Sequence, residues 1–135
     1  FFGYIFYSGY SRGPEISERV TNFLDIASKN DAASAYEFFT NALKKNLSLE
    51  VFAEDIKAHF ARVSFEKQEQ TSFYFMLGAP GSSKYNILKL RRIYEYKGVA
   101  TYSGGYEGTV SMIFVREDGQ WKIDAFDVSD PYGSN

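Results

Sequence analysis

Apolar residues recur along the first half of the chain at helical spacing. Ile16, Val20, Phe23, Leu24 and Ala27 are separated by four, three, one and three positions, which predicts one buried helical stripe. Gly13-Pro14 stands just before it and predicts the helix start. Asn30-Asp31 interrupts the pattern, and Asp31 is a candidate N-cap for a second stripe of Ala35, Phe38, Phe39, Ala42 and Leu43. Lys44 and Lys45 end that stripe where the helix dipole favours cations. The two pieces are read as separate helices or as one long bent helix. Ser48 then caps a third helix, with Leu49, Phe52, Ala53, Ile56 and Phe60 on its buried face.

Near residue 62 the period drops to two. Val63 and Phe65 alternate with polar residues, and 71–77 is aromatic-rich and strand-like. A loop composition follows from Gly78. The segment 87–96 predicts a long strand, with Leu88, Leu90, Arg92, Tyr94 and Tyr96 on one face. Lys97-Gly98 is either a bulge in one strand that continues to Tyr102, the preferred reading, or a hairpin turn. Ser103-Gly104-Gly105 predicts a turn. Residues 109–116 form a strand with Val110, Met112 and Phe114 facing one way. Glu117-Asp118-Gly119 is a tight hairpin turn with Gly119 at positive φ, and 120–128 is the last strand. Helices first and antiparallel strands after predict an α+β domain, with the helices packed on one face of a curved sheet.

Composition narrows the function classes. The 135 residues make one domain. Fifteen Lys and Arg against seventeen Asp and Glu give a net charge of −2, which argues against a nucleic-acid partner. With no cysteine and a single histidine, disulfides, thiolate catalysis and multi-His metal sites are excluded, and no metal or cofactor is expected.

The chain divides into a segment 1–13, a domain 14–129 and a tail 130–135. Residues 1–11 hold no charge and six aromatics. As a helix they rise only about 16 Å, short of a bilayer core of about 30 Å. Three readings stand: the end of a transmembrane or signal segment whose start precedes Phe1, an arm docking on the domain, or a tail ordered by a partner. The first makes Phe1–Tyr10 a membrane contact. It favours a membrane-associated, extracytoplasmic domain, because no Lys/Arg cluster follows the segment.

The closing hairpin carries a resemblance. Residues 110–128 set Gly119, Trp121, Lys122, Ile123, Phe126 and Val128 in an order that resembles the last hairpin of the NTF2-like (cystatin-like, SnoaL-like) superfamily. Ala35, Tyr36, Phe38, Gly98 and Gly108 are in keeping with it. The resemblance implies a sheet curled into a cone around the helices, with a pocket at its mouth. It implies no particular activity, since that fold hosts isomerase- and dehydratase-like enzymes as well as scaffolds and binding domains.

The candidate chemistry is sparse. His59, late in the third helix, is a general-base candidate weighed against a surface or capping role. Asp124 and Asp127 are carboxylate candidates. By strict alternation Asp127 shares a face with Trp121, Ile123 and Ala125, and Asp124 shares one with Lys122 and Phe126. An inward carboxylate would have a raised pKa and could move a proton, as in the isomerase-like members. Arg92 interrupts an apolar face and is a candidate anion contact. With Tyr94, Tyr96 and Trp121 it makes the candidate ligand-binding set. Lys84, Lys89, Arg91, Arg92 and Lys97 form a basic run that serves an edge strand or an acidic partner. The Gly78 loop is no phosphate loop, because Ser83 precedes Lys84 and Tyr85 follows it. Asn46-Leu47-Ser48 matches a glycosylation triplet. The expected function is a non-catalytic binding or assembly domain that takes a small hydrophobic or anionic ligand, a second copy or membrane-complex subunits. The alternative is a small isomerase- or dehydratase-like enzyme using a pocket Asp or His59 with a Tyr.

Overall fold

The computed structural model of the chain describes the backbone of residues 2–78 and 91–129 and the side chains of 15–72 and 93–129. Helix α1 spans Phe2–Ser28, α2 Ala32–Tyr36, α3 Asn41–Asn46 and α4 Leu49–His59. Strands β1 (Phe65–Gly78), β2 (Arg91–Tyr102), β3 (Glu107–Glu117) and β4 (Gln120–Val128) follow. They pair antiparallel in sequence order as a meander. The domain is α+β, as the order of periodicities predicts.

The predicted stripe of α1 faces the sheet, with Ile16, Val20, Phe23, Leu24 and Ala27 all buried. Its start differs from the sequence reading. The backbone is helical from Phe2 through Gly13-Pro14, although a proline inside a helix removes one i→i−4 bond and crowds the carbonyl of residue i−4. Gln68 on β1 locks the helix to the sheet. Its amide donates to Ser17 Oγ at 2.8 Å and Thr21 Oγ1 at 3.0 Å.

The second stripe is split. Asp31 caps α2 by accepting from Ser34 N–H at 3.2 Å, but the helix stops at Tyr36. Residues 38–40 extend alongside β4 instead: Ile123 N–H donates to Phe38 O at 2.7 Å, and Thr40 N–H donates to Ile123 O at 2.9 Å. Thr40 then caps α3, accepting from Leu43 N–H at 3.1 Å. Ser48 caps α4 as predicted, accepting from Val51 N–H at 3.2 Å. Phe52, Ile56 and Phe60 are buried on α4, while Leu49 at its first turn is exposed.

Strand β2 continues through Lys97-Gly98 to Tyr102 as preferred, but these two residues are not themselves the bulge. The irregularity opposite them lies in β1, where Thr71 is skipped between Gln70↔Gly98 and Ser72↔Lys97. Gly98 is there because nothing larger fits. A Cβ at that position would lie 2.6 Å from Glu69 O and run into the Tyr96 hydroxyl. The β3–β4 turn has Asp118 at φ 53° and Gly119 at φ 76°, the two positive values a two-residue hairpin loop with matching twist needs.

A second bulge decides which side chains of β4 face inward. Ile123 pairs with Phe114 and Ala125 with Ile113, so Asp124 is the extra residue. Trp121 and Ile123 are buried ahead of it. Beyond it the parity changes, and Phe126 joins the core by stacking on Phe39 with ring centroids 5.4 Å apart. Strict alternation therefore misassigns the end of this strand: Phe126 does not share a face with Lys122, and Asp127 does not share one with Trp121.

The inner face of the sheet buries Tyr94, Tyr96 and Tyr102 on β2 completely. Gln70 Nε2 donates to the Tyr94 hydroxyl at 3.0 Å. Burial raises the pKa of all three phenols above the usual value, that of Tyr102 to about 12. In the unfolded chain tyrosine ionises near pH 10. Between about pH 10 and 12 the folded state keeps protons that the unfolded state releases, so stability is fully present below this window and falls as pH rises through it. Chemical denaturation along an alkaline series is expected to show a loss approaching about 1.4 kcal/mol per pH unit from Tyr102 alone. Tyr102→Phe should flatten the slope. A stability curve level from pH 9 to 12 would contradict the burial of these rings.

Candidate functional site

A groove of about 470 Å³ opens where the C-terminal part of α1, the inner side of α4 and the end of β4 meet. Phe23, Leu24 and Ala27 come from α1, brought to one side by helical spacing. Phe52, Ile56 and Phe60 come from α4, and Phe126 and Val128 come from β4 beyond the bulge. Its floor is a cluster of packed rings. Phe39 meets Phe52 edge-on at 4.9 Å and lies 5.6 Å from Phe23, and Phe52 and Phe126 are 6.3 Å apart. Most of the lining side chains are thus apolar, although polar atoms supply a substantial part of the exposed surface.

The remaining lining residues are Asp55, Ala58 and His59 on α4 and Asp127 on β4. Asp55, Ala58 and Asp127 are exposed and His59 is half-buried, so they form the rim. Asp55 and His59 are four apart on a helix and so share a face. His59 Nε2 lies 3.3 Å from the Tyr102 hydroxyl, and its ring meets Phe60 edge-on at 4.7 Å. Tyr102 stays a neutral phenol well above neutral pH, so the imidazole faces a hydroxyl, the tautomer setting which of the two donates.

The other candidates lie elsewhere. Asp124 is the bulge residue and accepts from Thr40 Oγ1 at 2.8 Å. Thr40 is itself buried, so this carboxylate serves to hold the bulge and the α3 cap together. Tyr94, Tyr96 and Trp121 are at most 1% exposed and do not line the groove. Trp121 packs edge-on to Tyr94 at 6.4 Å, beneath the Arg116 guanidinium at 5.4 Å. The backbone of Arg92 pairs with Leu77 on β1, but its side chain lies outside the described residues. So do Lys84, Lys89 and the rest of residues 79–90. Among the described residues no group of three or more His, Asp or Glu is placed to hold a metal ion.

The sequence reading picked out His59 and Asp127 and missed the rest of the rim. The Asp55–His59 spacing was available as a signal. The inward turn of Phe126 and Val128 was not, because it depends on a bulge that leaves no local mark. Chemically, the arrangement offers apolar contact over most of a guest and hydrogen bonding or negative charge at one end. No family model, curated protein or solved structure matches the chain.

Proposed function

We propose that the chain is a non-catalytic binding module of the NTF2-like kind, whose guest enters the groove between α1, α4 and β4. The observation that carries this reading is the groove itself. It has the volume of a small-molecule site and is lined mainly by apolar side chains, with three ionisable residues, Asp55, His59 and Asp127, among them. The helix-first order and the antiparallel meander against which α1 packs are in keeping with the NTF2-like resemblance. Asp55 and Asp127 at the rim favour a neutral or cationic polar end over the anionic one, since a carboxylate guest would meet like charge. The enzymic alternative rests on the His59–Tyr102 contact. It has little support from the carboxylates, because Asp124 is tied to Thr40 and Asp127 is exposed at the rim.

Among the described residues no helix is long and apolar enough to cross a membrane. We take the uncharged first part of α1 as a contact with a membrane or a neighbouring subunit that holds the groove close to it.

Ala58 supplies the test, because it is exposed on the rim and a larger side chain there closes the mouth without touching the core. The neutral fluorophore N-phenyl-1-naphthylamine is expected to bind the native chain saturably at one site. Ala58→Trp should weaken it about tenfold or more, roughly 1.4 kcal/mol, with the thermal midpoint unchanged. Equal affinity for the two proteins would refute the groove as the binding site.

A further inference from the structure

The groove runs beside a strand edge that is only half closed, and the unclosed half has a chemistry of its own. Ser129 N–H donates to Thr109 O at 3.0 Å. Partners in an antiparallel ladder alternate between bonded and non-bonded pairs. From the register Val110↔Val128 and Met112↔Phe126, the backbone groups of Asp127 and Ala125 are therefore aimed at β3, and those of Phe126 and Val128 away from it. Ahead of the bulge the outward residue is Ile123, and both its N–H and its carbonyl are taken by the extended segment 38–40. No backbone group among the described residues does the same for Phe126 or Val128, and both are only half-buried.

We propose that an extended peptide of a partner protein docks here as a fifth strand, pairing with Phe126 and Val128 and dropping alternate apolar side chains into the groove. The inference rests on the groove being a binding site and names its occupant. Two outward residues at a two-residue spacing call for another polypeptide backbone, because a lipid tail or a small apolar molecule leaves those groups unmet. The fold already captures an extended segment on this same edge, at Phe39↔Ile123. Asp55 and Asp127 on the rim select a strand carrying Lys or Arg beside its apolar positions.

A displayed library of random peptides, panned on the native chain and counter-selected on Ala58→Trp, supplies the probe. Enriched peptides should alternate apolar residues with basic ones. They should slow amide exchange at Phe126 and Val128 by about tenfold or more, leaving Ala125 and Asp127 unaltered. Val128→Pro removes one outward N–H, a change an edge strand tolerates. It should lose the peptides by about tenfold. If that variant does not fold, methylating single amides of the peptide against the native chain replaces it, and only alternate positions should abolish binding. The proposal is overturned if no peptide is enriched, if Val128→Pro or every methylated peptide binds like its parent, or if sedimentation shows a dimer that Val128→Pro dissolves, which makes a second copy the occupant. A native chain that binds the fluorophore but enriches no peptide would fail this proposal alone. Failure of the fluorophore on the native chain would fail the binding reading beneath it.

Discussion

Trp121→Ala is expected to cost about 3–5 kcal/mol, the range for removing a large buried aromatic. Trp121 is 1% exposed. It sits on β4 directly opposite Arg116, meets Tyr94 edge-on, and stands two residues before Ile123, where the 38–40 segment attaches. The void would therefore lie beneath a strand pinned on both sides, where collapse is hard and the cavity cost is high. Domains of this size hold about 5–15 kcal/mol in all, so the variant should lose a large share of its stability. A fall in thermal midpoint of about 10–20 °C is expected by calorimetry. Trp121→Phe keeps most of the ring volume and should lose less than half as much. A cost near zero for Trp121→Ala would mean that the closing hairpin does not cover the core.

Gly98→Val is the second large effect, and it works by excess volume. Gly98 faces inward in the middle of β2, between two fully buried tyrosine and alanine positions, Tyr96 and Ala100. The first carbon of any side chain would lie 2.6 Å from Glu69 O and 2.8 Å from Tyr96 Cζ. The tyrosine ring can swing, but the carbonyl belongs to the neighbouring strand and can move only with it. Overpacking of this kind costs about 1–3 kcal/mol for a modest excess, and a branched side chain against backbone should reach the upper end or beyond. Gly98→Ala should fall lower in the same range. Combining Gly98→Val with Tyr96→Leu should recover part of the loss but not all of it, because the Glu69 carbonyl remains. Full recovery in urea titrations would place the conflict on the ring alone.

Features that depend on a few neighbouring residues could be read from the chain. Asp31 and Ser48 cap helices because a short polar side chain before an apolar period can do little else. Asp118-Gly119 makes the turn because both positions need positive φ. The α1 stripe and the alternation of Val110, Met112 and Phe114 follow from period alone. What could not be read depends on partners far along the chain. The stripe through Phe38 and Phe39 continues a helix by spacing, yet far along the chain the backbone of Ile123 and the carboxylate of Asp124 offer Phe38 and Thr40 a better set of bonds. The bulge at Asp124 is equally non-local, and it turns Phe126 and Val128 inward and Asp127 out to the rim. The groove exists because of that change of parity. By sequence the candidate ligand-binding set is Arg92, Tyr94, Tyr96 and Trp121, of which the last three are core residues in the fold, and of the groove's own polar groups only His59 and Asp127 are candidates.

A chemical-shift map of the uniformly labelled chain, titrated with N-phenyl-1-naphthylamine, tests the placement of the binding site most directly. Shifts are expected at Leu24, Ala27, Ile56, Ala58, Phe126 and Val128, the walls and rim of the groove. Perturbation centred on Tyr94, Tyr96 and Trp121 with those six unmoved would put the guest inside the sheet's inner face instead and contradict the site described above.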